Sequence, residues 1–215
     1  MCRYILGCAI FFMALSFAMG YAQDAEYGTI IDTIQRNVGC DREAAEALLA
    51  VINYFAEGIQ TEFSYLASSK DDIYIKEIRI KKTIQKYFES ERSIVQVSNV
   101  HRKPIYDYEI RTYLDRLARL ALYKYTRVEL LFDPDYLGIG QFLQTGPNSY
   151  ELSVSMWQIF RAWMGNELAY ADATKKKFRL NFVIEGDRVQ VKISEILVSE
   201  TTSLEKYKGK FKVDN

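Results

Sequence analysis

The sequence predicts an α+β fold, with three helices packed on a curved antiparallel sheet. Three observations carry this. Apolar residues recur every three or four positions from Leu48 to Leu120, then alternate in twos from Thr126 to Ile193. Nothing along that stretch reads as a linker or an internal repeat. The length also suits a single core: of 215 residues, about 190 remain once an apolar leader is set aside, enough for one domain and too few for two.

Residues 1–22 have the form of a signal peptide. Arg3 supplies a weakly basic start, Ile5 to Ala18 is an apolar run, and Gly20-Tyr21-Ala22 places small residues where a signal peptidase needs them. Cleavage before Gln23 is expected, with export to the periplasm or medium and no stable membrane span afterwards. An uncleaved anchor is the alternative, because Tyr4–Ala22 is nearly long enough to cross a bilayer. Cys2 and Cys8 leave with the leader, so Cys40 stands alone and the mature domain must be held by its core.

Residues 23–40, with Gly28 and Gly39, read as a lead-in segment, 41–204 as the domain and 205–215 as a C-terminal tail. Asp41 can cap a first helix whose stripe is Leu48, Ile52, Phe55, Ile59, Phe63 and Leu66. Ser69 with Asp72 has capping-box spacing for a second helix, with Ile73, Glu77, Ile80, Ile84 and Phe88 on one face. Lys76, Arg79, Lys81, Lys82 and Lys86 lie on the others, as a solvated basic face. Ser93–Asn99 is short and β-branched, a strand. Pro104 then opens a third helix from Tyr106 to about Leu122, striped by Ile110, Tyr113, Leu114, Leu117 and Leu120.

After that helix four long stretches alternate: Thr126–Phe132, Leu152–Phe160, Phe178–Ile184 and, beyond the turn Glu185-Gly186-Asp187, Val189–Ile193. They read as an antiparallel meander with one buried face. Between the first two, Pro134, Gly138, Gly140, Gly146, Pro147 and Asn148 read as a long connection.

The order helix, helix, strand, helix and then long antiparallel strands resembles the cone-shaped NTF2-like fold of nuclear transport factor 2, ketosteroid isomerase and scytalone dehydratase. The likeness covers roughly Asp41 to Thr201. Tyr87-Phe88-Glu89 to Ser98, Tyr150 to Trp163 and Lys175 to Glu200 look like secreted bacterial members of that superfamily. The resemblance implies a sheet wrapped around helices with a pocket at the wide end. Its members include enzymes, carriers and assembly modules, so the fold does not choose among them.

Composition excludes several functions. Twenty-eight basic side chains balance 28 acidic ones, which argues against a nucleic-acid or anionic-membrane footprint. One histidine and one mature cysteine leave little for metal, thiol or Ser-His chemistry. No metal and no cofactor are expected: Gly138-Ile139-Gly140 has the wrong spacing for a nucleotide loop, and Asp172, Asp187, Glu195 and Glu200 are too scattered for a metal cluster.

The inward registers carry Val95, Val97, Val128, Leu130, Phe132, Leu152, Val154, Met156, Phe160, Phe178, Leu180, Phe182, Val189, Val191 and Ile193, with Gln158 the one clear polar residue. Gln158, Phe132, Met156 and Phe160 are therefore the candidate ligand-binding residues, around an apolar interior without carboxylate or histidine. In the outward register Trp157, Ile159, Arg161 and Trp163 form an apolar strip suited to a homodimer or partner protein. The expected function is non-catalytic binding, of a partner protein or of a small apolar ligand in the cone. The competing classes are an isomerase- or hydrolase-type enzyme using His101 with Asp107 or Tyr108, and a membrane-anchored periplasmic secretion-system subunit. A pocket holding titratable groups within reach of one another would favour the enzyme.

Overall fold

The computed structural model describes residues 25–68, 70–185 and 188–210; the leader, the Gln23 junction, Ser69 and the tip of the Glu185-Gly186-Asp187 turn lie outside them. Helix α1 (Ala25–Ile34) runs into a π turn at Gln35–Gly39 and is followed by α2 (Arg42–Ser68), α3 (Ile73–Tyr87), β1 (Ile94–Asn99), β2 (Arg102–Glu109), α4 (Ile110–Tyr123), β3 (Arg127–Gly146), β4 (Ser149–Met164), β5 (Glu167–Glu185), β6 (Arg188–Ser203) and α5 (Leu204–Lys210).

The lead-in is thus helical rather than irregular, and Ile31 and Ile34 are fully buried in the main core. Gly39 adopts φ 73°, the left-handed conformation that ends the segment. Asp41 caps α2 as expected, its Oδ1 accepting from the Ala44 N–H at 2.9 Å. Asp72 caps α3, accepting from the Tyr74 N–H at 2.7 Å. The buried face of α3 is Lys76, Ile80, Thr83, Ile84 and Tyr87, so Lys76 rather than Glu77 points inward. Its ammonium donates to the carbonyls of Leu66 at 3.1 Å and Ala118 at 2.8 Å, tying α3 to α2 and α4. Burial lowers its proton affinity, and Asp71 partly opposes that. Gly58 lets Tyr87 approach α2 so closely that any side chain there would collide with its ring.

Two further expectations are corrected. Residues 102–109 form a strand, not the start of a helix: Tyr106 to Glu109 pair with Val97 to Ile94, and Glu109 becomes the N-cap of α4. Strand β3 continues through the glycine-rich stretch that reads as a connection, with register shifts between Asp133 and Gly138 and between Ile139 and Phe142. Gly138 and Gly140 there pass tight against Ser155 and Ser153 of β4.

The six strands lie in the order β2-β1-β6-β5-β4-β3. Strands β3 to β6 form the expected antiparallel meander, but β1 pairs parallel with β6, so the sheet is mixed. The described residues hold five α-helices rather than three. One apolar cluster joins α1, α2, α3 and α4 to the inward register of the strands, through residues such as Leu48, Phe63, Ile80, Leu114, Leu130, Leu152 and Phe182. Among the described residues no helix is long and apolar enough to cross a membrane.

Candidate functional site

A cavity of about 700 Å³ opens between the β1–β2 hairpin, α4, β4 and β5. Each element delivers side chains by its own period. Alternation along β2 turns Tyr106 and Tyr108 to the cavity, while α4 presents Tyr113, Arg116, Leu117 and Leu120 at helical spacing, with Lys124 at its C-cap. Gln158 and Phe160 come from β4, and Tyr170, Asp172, Thr174 and Lys176 from β5.

The floor corrects the expectation of an interior without carboxylate. Asp172, Thr174 and Lys176 stand at 5%, 5% and 4% exposure, in the same register as Phe178 and paired with Phe160, Gln158 and Met156 of β4. The strand begins at Glu167, eleven residues before the Phe178 at which its apolar run starts, and the period of two carries these polar residues inward. Tyr170 precedes Asp172 by one full period, and its hydroxyl bonds the Asp172 carboxylate. The Lys176 ammonium reaches under β6 to donate to the Gln96 carbonyl at 2.6 Å. Gln96 in turn accepts from the Val198 N–H through its side chain at 2.9 Å.

Burial governs the electrostatics. It raises the proton affinity of Asp172, opposed by the Tyr170 hydroxyl and by the charges of Lys176 and His101. Burial pushes Lys176 down to about 8, with Asp172 working the other way. Tyr170 and Tyr113 are both raised, chiefly by burial and then by Asp172, so each phenol keeps its proton, and that of Tyr170 is donated to Asp172. The floor therefore combines a carboxylate with more than ordinary proton affinity, a phenol donor and an easily deprotonated amine. Such a set can orient a polar ligand or move a proton.

The sequence-derived residues are distributed unevenly about this cavity. Gln158 and Phe160 line it, whereas Phe132 and Met156 sit in the main core. His101 lines it, with its ring 5.9 Å from that of Tyr170, and so does Tyr108. Asp107 alternates to the other side of β2 and is exposed, so the structure does not bring it to His101.

Strand β4 pairs with β3 without interruption from Trp157 to Trp163, the shift after Ala162 falling on β5, so Trp157, Ile159, Arg161 and Trp163 share the face opposite the core. This chain engages all four itself. Trp157 is 3% exposed beneath Tyr207 of α5, at 5.1 Å between ring centroids, and Ile159 packs on the same cluster. Arg161 bonds Glu129 at 2.8 Å, and Arg127 lies over Trp163 at 3.7 Å. Residues taken for a tail thus form a helix that covers the strip, and the Tyr207 hydroxyl bonds Asp133. Tyr207→Ala, in a Trp163→Phe background where Trp157 reports alone, should red-shift tryptophan emission and cost about 1–3 kcal/mol. An unshifted emission maximum would mean that α5 does not cover Trp157.

No protein-family model matches this chain, and no curated protein matches it. Among solved structures, the chain is similar to an NTF-2-like protein of unknown function from Shewanella oneidensis, at 13% identity and TM-score 0.33, over 69% of this chain and 96% of that one. NTF2-like proteins are thus among its structural neighbours. A candidate scytalone dehydratase from Novosphingobium aromaticivorans is 11% identical with TM-score 0.37, over 72% of this chain and 89% of that one. The intermembrane-space region of the chloroplast protein ARC6 is 10% identical with TM-score 0.40, over 69% and 94%. At such TM-scores the likeness bears on neither activity nor partner.

Proposed function

We propose that this protein binds a small organic molecule in the cavity, using Tyr170, Asp172 and Lys176 as the polar recognition element. The observation that carries the reading is the joint burial of a carboxylate and an ammonium at a cavity wall. Taking such groups from water is costly unless they are well partnered, and apolar residues in the same strand register would pack more cheaply. A cavity of about 700 Å³ also falls within the usual range for small-molecule sites. The apolar segment at residues 4–22 supports an exported protein as the setting.

A second reading, proton-transfer catalysis of the isomerase or hydrolase type, is favoured by the bond between Tyr170 and Asp172. It places the base at Asp172, with His101 at the cavity wall and Asp107 outside it.

Thermal-shift screening of a small-molecule collection tests the proposal. Hits on the parent protein should bind Asp172→Asn and Lys176→Met at least about tenfold more weakly, in line with the loss of a charged hydrogen bond. Hits that bind all three proteins equally would show that this floor is not the recognition element. A compound that is turned over, with the rate falling about a hundredfold or more in Asp172→Asn, would select the catalytic reading.

A further inference from the structure

The wall above that floor carries an unbalanced charge. Among the described residues, the ionised side chains lining the cavity are Arg116, Lys124 and Lys176 against Asp172. Asp172 acts on Lys176 beside it in the floor, so the surplus belongs to Arg116 and Lys124. Both are exposed, Arg116 on α4 and Lys124 at its C-cap, and both are held over aromatic faces rather than against acids. The Arg116 guanidinium lies 4.6 Å from the Tyr108 ring centroid, and the Lys124 ammonium lies 4.7 Å from that of Tyr125. Other arginines of the same protein do find carboxylates: Arg111 pairs with Asp115 on this very helix.

A cation over a ring keeps most of its field, and a concave wall of one sign concentrates that field on an entering ligand. Beside them two aromatic rings line the cavity, Tyr106 and Tyr108, stacked 6.5 Å apart at 29°. We infer, resting on the small-molecule reading above, that the ligand is an organic anion with an aromatic ring system, drawn in by Arg116 and Lys124. Its ring packs on Tyr106 and Tyr108 and its neutral polar end meets the floor.

Calorimetric titration with three probes of one shape tests this: 2-naphthoate, the neutral 2-naphthalenemethanol and the cationic 2-naphthylmethylammonium, at pH 7 in low salt. The carboxylate should bind at least about tenfold tighter than the alcohol and the ammonium more weakly than either. The preference should shrink as salt shortens the screening length. In Arg116→Gln/Lys124→Gln the gap between carboxylate and alcohol should fall below about threefold. Both positions are exposed, so the double variant should fold. An alcohol that binds as tightly as the carboxylate, or a gap that survives the double substitution, overturns the anion inference and leaves the small-molecule reading standing. Failure of all three probes to bind overturns both.

Discussion

Phe182→Ala should destabilise the protein by about 3–5 kcal/mol, the range for removing a large aromatic ring from a packed core. Phe182 is 1% exposed, stands near the C-terminal end of β5 between Tyr150 and Val191, and meets the Phe142 ring edge-on at 5.4 Å. Three strands therefore lose contacts at once, and closing the space would require all three to move. Arg179, three residues earlier, takes the opposite register. It lies 3.4 Å from Glu151 and 3.2 Å from Glu195 with a side chain 36% exposed, so Arg179→Ala should cost less than about 1 kcal/mol. Urea unfolding separates the two cases. Equal midpoints at equal slope would mean that the inward and outward faces of β5 are wrongly assigned.

Lys176 should make stability depend on pH in the alkaline range. Its proton affinity falls from the ordinary 10.5 to about 8 in the folded protein. Between those values the unfolded chain binds the proton and the folded chain does not, so stability rises with pH there. The penalty for burying the ammonium is complete below about pH 8, fades as the pH climbs toward 10.5, and is absent above. Its full size is about 3 kcal/mol, at about 1.4 kcal/mol for each tenfold change in affinity. Lys176→Met removes that dependence, and also leaves the Gln96 carbonyl without its donor at every pH, a constant cost of about 1–3 kcal/mol. The stability of the parent relative to this variant should therefore improve by about 3 kcal/mol between pH 7 and pH 10.5. A difference that stays constant across that interval would mean that Lys176 remains charged in the fold or is not buried.

Where one period ran unbroken and agreed with its punctuation, the sequence was readable. Asp41 and the Leu48–Leu66 stripe predict α2 because cap and periodicity point the same way. The meander is legible because each strand alternates cleanly over its centre. Strand β2 is hidden because Pro104 before a polar, tyrosine-rich stretch resembles a helix entry. The alternation of Tyr106 and Tyr108 with Asp107 and Glu109 is the signal that marks it as a strand. The cavity floor is hidden for a related reason. Alternation is recognised by hydrophobicity, and Asp172, Thr174 and Lys176 continue the inward register of Phe178 with polar side chains. Counting backwards in twos from Phe178 would place them there without any reference to polarity. The covering of Trp157 by α5 has no comparable signature, because Leu204–Lys210 is short and its docking depends on the tertiary fold.

The parallel pairing of β1 with β6 has a consequence for biosynthesis. Ile94 lies beside Glu195, and Phe88 beside Ile193, so the centre of the sheet joins segments about 100 residues apart, a separation that slows folding. Among the six described strands, the last to be synthesised, β6, is the one that stitches the hairpin β1–β2 to the block β3–β5. Until it arrives, each part has an open edge and neither can complete the core. Arrival of β6 closes both edges at once. A product truncated before Arg188 has no such safeguard: its two unsatisfied edges face other copies of itself, and strand pairing between molecules becomes the accessible outcome.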